Sequence, residues 1–204
     1  PEAQRIVIIS SAGDLTVGEQ LAAAVADRDL AVHQLTVPPG SSETPVKSLA
    51  MLGELASRLA KLAVHRGDLL LGVGGEEICD VVGFLAATYN RGMPLALIPT
   101  TLEAQADSAV GGKCSLDLLE GSNLLGLLHQ PVLVVSDVEL AARDGADYSA
   151  GLAEIAKHAL LADHELLQFL IERGDDLVAR ERIAVTRAVR RSVEIKADIV
   201  TSDE

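Results

Sequence analysis

Aromatic residues are almost missing from this chain. Its 204 residues include two tyrosines, two phenylalanines and no tryptophan, yet 49% of them are apolar. Leu, Val, Ile and Ala must therefore fill the core, as they usually do in a parallel α/β sheet. Cysteine is just as sparse. Cys79 and Cys114 lie far apart outside any C-x-x-C pattern, which argues against a disulfide scaffold or a zinc ribbon and for the reduced thiols of a cytoplasmic protein. Positive charge is also short: 17 Lys and Arg face 30 Asp and Glu, for a net charge of −13. No basic cluster is interleaved with aromatics, so no nucleic-acid partner is expected. No apolar run approaches the ~18 residues of a membrane helix, and no basic-then-apolar signal opens the chain. We expect a soluble cytoplasmic protein without a membrane partner. Pro1 opens the chain and Glu204 closes it inside a polar helical pattern, so both ends are expected to be cut.

Through the first two thirds, short apolar runs alternate with amphipathic stretches. Ile6 to Ile9 reads as a buried strand, and Ala31 to Val37, Leu69 to Val73, Leu95 to Ile98 and Val132 to Val135 read as further strands. Helical patterns run from about Thr16 to Arg28, along Leu49, Leu52, Leu55, Leu59 and Leu62, and from Glu77 to about Asn90. The Pro38-Pro39-Gly40-Ser41-Ser42 cluster breaks the chain between two of them. This rhythm predicts a Rossmann-like, mostly parallel sheet. From Asp147 onward only helical patterns remain, over Ser149 to Leu161, His164 to Arg173 and Ile183 to Val200. The fold class is therefore α/β: a sheet domain over residues 1–144, then the first helices of an all-α domain over 145–204.

Several residues carry candidate chemistry. A strand that ends in Gly74-Gly75 and opens into a helix lets backbone N–H groups approach a pyrophosphate, with Asp80 near a polar part of the cofactor; a tight βα turn is the alternative. Thr100 and Thr101 follow a strand, where their hydroxyls bond a nicotinamide ribose or cap the next helix. Asp107 and Lys113, separated by a Val-Gly-Gly turn, are able to converge on one polyol phosphate or to form a surface ion pair. Arg91, before Gly92, offers a guanidinium fork for a phosphate or a C-terminal helix charge. Glu154 and Lys157 share a helix face. The five histidines show no ligand spacing, and solvent-facing or capped roles are expected for them.

In order and spacing, Gly74-Gly75-Glu76-Glu77-Ile78-Cys79-Asp80, then Pro99-Thr100-Thr101-Leu102 through Asp107-Ser108 to Val110-Gly111-Gly112-Lys113, then Gly151-Leu152-Ala153-Glu154 with Lys157, resemble the 3-dehydroquinate synthase family. Ala87-Thr88-Tyr89-Asn90-Arg91-Gly92 and Ser122-Asn123 through His129-Gln130-Pro131 continue the match. The resemblance is clear from about Asp68 onward. Ahead of it, Glu43 and Lys47 loosely echo a cofactor-binding segment.

The resemblance implies NAD as cofactor, bound by Gly74, Gly75, Asp80, Thr100 and Thr101. It implies a sugar-phosphate substrate held by Arg91, Asp107, Lys113, Asn123, Lys157 and Lys196, with Lys157 and Glu154 catalytic. Glu154 is also the implied ligand of a divalent metal, zinc or cobalt. The implied reaction converts 3-deoxy-arabino-heptulosonate 7-phosphate to 3-dehydroquinate and phosphate, in the shikimate pathway of aromatic amino acid biosynthesis. Bound NAD oxidises one carbinol transiently so that the adjacent proton becomes acidic and phosphate leaves; re-reduction and an aldol closure follow, while the cation polarises the reacting oxygens. The family's two metal-binding histidines fall beyond this chain, so residues 1–204 are expected not to complete the reaction alone. A homodimer is consistent with the family. Glu76 stands where the family usually has a third glycine, and Ser122 where it has a cofactor-contacting lysine. These departures motivate two rivals: a non-catalytic paralogue or partner subunit that keeps the fold, and a related sugar-phosphate cyclase or polyol dehydrogenase.

Overall fold

A computed structural model describes residues 4–26, 30–143 and 148–202. The elements follow in the order β1 (Arg5–Ser11), α1 (Leu15–Val25), β2 (Ala31–Val37), α2 (Leu49–Lys61), β3 (Leu69–Gly74), α3 (Glu76–Thr88), β4 (Leu95–Pro99), β5 (Lys113–Leu118), β6 (Gly121–Leu128) and β7 (Leu133–Val134). Helices α4 (Val138–Ala141), α5 (Tyr148–Ala162), α6 (His164–Glu172), α7 (Gly174–Val178) and α8 (Arg182–Ser202) complete the chain. Two compact units result, one of Pro1–Ile98 with Gly112–Val135, the other of Pro99–Gly111 with Ser136–Glu204. The boundary expected after residue 144 and the helix end expected at Arg28 lie outside the described residues.

The first unit is a five-stranded sheet of order β2-β1-β3-β4-β7. The β1–β2, β1–β3 and β4–β7 pairings are parallel. Val7, Ile9, Leu70 and Val73 are fully buried along β1 and β3, and strands of this type carry continuous apolar runs because both faces are covered. Helix α1 packs on β1 and β2, and α3 on β3. Ser48 starts α2 by accepting from Met51 N at 3.2 Å, and Arg58 and Lys61 sit in its last turn, where cations favour the C-terminal dipole. Leu55 and Leu59 bury its apolar face.

Two features depart from expectation in this unit. Helix α3 stops at Thr88, and a 3-10 turn takes Tyr89–Arg91, because Asn90 (φ 51°) and Arg91 (φ 66°) turn left-handed before Gly92 (φ 106°). Residues 113–128, read without strands from sequence, form the antiparallel hairpin β5–β6. Cys114 and Leu116 on β5 are buried, and the strand packs on α3.

The second unit is helical, as expected, apart from one π-helical turn at Ala104–Ser108. Leu102, Tyr148, Ile155, Phe169, Ala188 and Ile195 contribute to its core. Asp163 caps α6 by accepting from Leu166 N at 2.9 Å. The short α7 was not anticipated. Among the described residues no helix is long and apolar enough to cross a membrane.

Candidate functional site

In the first unit the polar chemistry gathers around the β3–α3 turn. Strand order reverses at β1 and β3, the place in an open parallel sheet where ligands collect beyond the carboxyl ends. Gly74 ends β3, and a Cβ there would meet Ile78 Cγ1 at 2.6 Å, so this glycine lets helix and strand close up. Gly75 is the N-cap of α3, followed by Glu76 and Glu77 in the first turn. One helical turn on, Asp80 is 6% exposed.

Lys47, a loose expectation from sequence, proves to be the centre of this cluster. It is 5% exposed, and its Nζ lies 2.5 Å from Asp80 Oδ2, 2.5 Å from Asn123 Oδ1 and 3.5 Å from Glu76 Oε1. Burial opposes the ammonium, but the hydrogen bond and charge of Asp80, with Glu76 and Asp117, outweigh it and raise the Lys47 pKa. Ser115 Oγ lies 2.8 Å from Asp80 Oδ2 and 2.6 Å from Asn123 Oδ1, one proton for two acceptors. Asn123 takes a left-handed φ of 58°, and its N–H donates to Asp117 Oδ1 at 2.7 Å. Glu43 is exposed on the loop before α2, and Lys113 is exposed at the start of β5. Arg91 lines a separate depression with Arg66, Met93 and His129.

The second unit brings together Asp107, Glu154, Lys157, His158 and Lys196. The π-turn presents Asp107. Ala109 N donates to Ala104 O at 3.0 Å, and buried Gln105 holds the turn by donating to Pro99 O at 3.0 Å and Asp137 O at 2.7 Å. Such wide turns recur at functional sites. Thr101 Oγ1 accepts from Ala104 N at 3.2 Å, the capping use of that hydroxyl, and Thr100 is buried nearby in sequence. Gly151 permits α5 to pass, since a Cβ there meets Glu103 N and Leu102 Cβ at 2.6 Å.

Lys196 Nζ donates to Asp107 Oδ1 at 2.5 Å, and His158 Nε2 lies 3.1 Å from the same oxygen. Burial works against the Asp107 carboxylate, but Lys196, with Lys157 beyond it, holds its pKa below the ordinary range. Glu154 and Lys157 form an ion pair one helical turn apart. That bond is the main cause of the raised Lys157 pKa.

His158 overturns the expectation of solvent-facing or capped histidines: it is 2% exposed, because it faces the helical core from α5. Its Nδ1 lies 2.5 Å from Ser192 Oγ, which lies 3.4 Å from Ala106 O. Burial is the largest cause of its lowered pKa, so the ring is neutral near pH 7. With the proton on Nε2 it donates to Asp107; in the other tautomer a lone pair faces the carboxylates. One donor atom each of Asp107, Glu154 and His158 lie within 4.8 Å of one another, a mixed oxygen and nitrogen set that suits a divalent cation. The four-residue spacing of Glu154 and His158 on one helix face is the sequence signal that would have found the histidine.

The chain matches two family models, the 3-dehydroquinate synthase N-terminal model over residues 34–146 and the C-terminal one over residues 151–204. It is 42% identical over 188 residues to the 3-dehydroquinate synthase of Caulobacter vibrioides, covering 92% of this chain and 50% of that protein. With the enzyme of the same name from Symbiobacterium thermophilum it shares 38% over 205 residues, 100% of this chain and 56% of the other. The chain thus spans about half the length of the curated relatives it matches. Among solved structures, 2-epi-5-epi-valiolone synthase from Streptomyces hygroscopicus with NAD+ and Zn2+ bound superposes with a TM-score of 0.88 at 30% identity, over 98% of this chain and 56% of that one. A 2-deoxy-scyllo-inosose synthase complex, at 24% identity and a TM-score of 0.84 over 98% of this chain and 55% of that one, shares the fold.

Proposed function

The chain belongs to the 3-dehydroquinate synthase family, and we propose that the protein acts as a 3-dehydroquinate synthase. It would convert the heptulosonate phosphate to 3-dehydroquinate and inorganic phosphate. The observation that carries this reading is the cluster on the second unit, where two ammonium groups, two carboxylates and a neutral imidazole meet. Lys157 and Lys196 neutralise an anionic sugar phosphate, and Asp107, kept ionised by Lys196, accepts from hydroxyls. Arg91, Lys113 and Asn123 are further substrate contacts on this reading. The donor set of Asp107, Glu154 and His158 fits a divalent cation, for which we propose zinc or cobalt; when bound, such an ion supplies polarisation of a hydroxyl or carbonyl oxygen.

NAD is the proposed redox cofactor, at Gly74, Gly75, Asp80, Thr100 and Thr101. The backbone of the β3–α3 turn fits a dinucleotide, but the charge around it does not fit a pyrophosphate. Reversible hydride acceptance is the chemistry the nucleotide would bring. The same reading puts the protein in the cytoplasm, with a sugar phosphate as its small-molecule partner and a homodimer as its assembly. A second reading, a relative that keeps the fold without the chemistry, draws on Glu76 and Ser122. Phosphate release from the heptulosonate by the full-length protein, with NAD+ and Co2+ supplied, separates the two. We expect turnover that falls at least a hundredfold in Glu154→Gln. Release that is absent, or indifferent to Glu154, would refute the synthase reading.

A further inference from the structure

Around the β3–α3 turn the backbone and the charge disagree. The turn sits where the strand order reverses, and it opens the 13-residue helix α3 at a glycine N-cap. Both features suit the pyrophosphate of a dinucleotide. The side chains do not. One ammonium, Lys47, stands against Asp80 at 2.5 Å and Glu76 at 3.5 Å, and Asp117 adds its field. Carboxylates outnumber the cation, and exposed Glu77 shares the first turn. The two acids paired with Lys47 differ in their surroundings: the side chain of Asp80 is 8% exposed and that of Glu76 39% exposed. Asp80 therefore keeps the buried ammonium in place, while Glu76, in the first turn of α3, is the half-open partner that a ligand can displace.

We propose that Glu76 sets the dinucleotide affinity of this chain. Its carboxylate serves Lys47 as an internal anion, and an incoming pyrophosphate has to compete with it. The inference rests on the family reading of NAD as cofactor and concerns only how tightly this turn takes it. With Glu76 neutralised, Lys47 and Asp80 balance, and the open end of α3 faces the phosphates without a second carboxylate on the ammonium.

Calorimetric titration of NAD+ into the full-length protein tests this without recourse to turnover. Glu76→Gln and Glu76→Gly should each tighten binding about tenfold, ~1.4 kcal/mol, and the gain should shrink as salt rises from about 50 to about 300 mM, since screening weakens the repulsion. Glu77→Gln, which removes the same charge from the same turn without touching Lys47, should change binding less than about twofold. Thermal melts establish that each variant is folded, and having two Glu76 variants guards against loss of one. If wild type binds NAD+ and both Glu76 variants bind within twofold of it or more weakly, Glu76 is not the determinant and the cofactor reading stands. If neither wild type nor the variants bind at millimolar NAD+, the cofactor reading falls and this inference with it.

Discussion

Replacing Lys47 with methionine tests how the first unit holds its polar centre. The substitution keeps the length of the side chain but removes the ammonium that lies 2.5 Å from Asp80 and 2.5 Å from Asn123. Asp80 is then a carboxylate at 6% exposure, with the Ser115 hydroxyl still donating to it at 2.8 Å. Breaking a buried ion pair from one side costs about 3–5 kcal/mol. Because Ser115 still donates, the lower end applies, about 3 kcal/mol. Asp80→Asn leaves Lys47 with Asn123 and with Glu76 at 3.5 Å, and about 2 kcal/mol is expected. The double variant strands neither charge, so it should cost about 3 kcal/mol instead of the additive ~5, a coupling of ~2 kcal/mol that is typical of contacting groups. Urea unfolding of the four proteins, with a common slope m, measures this cycle. Additivity within about 0.5 kcal/mol would refute the account, because it would mean that solvent screens the two charges despite their burial.

Other expectations follow from the same contacts. Lys47 has a folded-state pKa above its ordinary value of 10.5, so its contribution is complete below that value and is lost as pH rises through the folded one; melting curves between pH 9 and 12 should fall more steeply for wild type than for Lys47→Met. Gly151→Ala should destabilise the second unit by about 2 kcal/mol, since the new Cβ meets backbone at 2.6 Å. Gly53→Ala in α2, where nothing lies within 4 Å, should instead stabilise by about 0.5–1 kcal/mol, and the opposite order in guanidinium unfolding would contradict both. Tyr148→Phe removes the donor to Leu177 O at 2.9 Å and should cost about 1–2 kcal/mol by the same assay, with the Arg180 contact on the ring retained.

The parallel strands were legible because each is an apolar run closed by polar or glycine residues, as in Leu69–Gly74. The hairpin β5–β6 was not. Lys113–Leu118 does alternate at Cys114, Leu116 and Leu118, but the turn at Leu119-Glu120 carries no Asn-Gly or Asp-Gly signal, and β6 leaves Leu124 and Leu128 exposed. Among candidate site residues, the sharing of a face by Glu154 and Lys157 followed from helical spacing, and the ion pair is there. His158 was legible only in part: its four-residue spacing from Glu154 marks a shared helix face, but its hydrogen-bond partners Asp107 and Ser192 are 51 and 34 residues away. The expected partnership of Asp107 with Lys113 is a similar case. The two belong to different units, and Asp107 is engaged instead by Lys196, 89 residues on. Local spacing carries no information at that range.

The loan of Pro99–Gly111 to the helical unit bears on how such proteins can be recombined. The chain passes between its two units three times, after Ile98, after Gly111 and after Val135, so the helical unit is not a cassette that one crossover can transplant. A chimera joined at residue 135 would pair a foreign α8 with the resident π-turn, and Lys196 from one parent would have to find Asp107 from the other. Inheritance of the Asp107 segment together with α5 and α8 is then a condition for exchange between homologues, and a library shuffled at this junction should retain folded members chiefly where residues 99–111 and 136–202 share a parent.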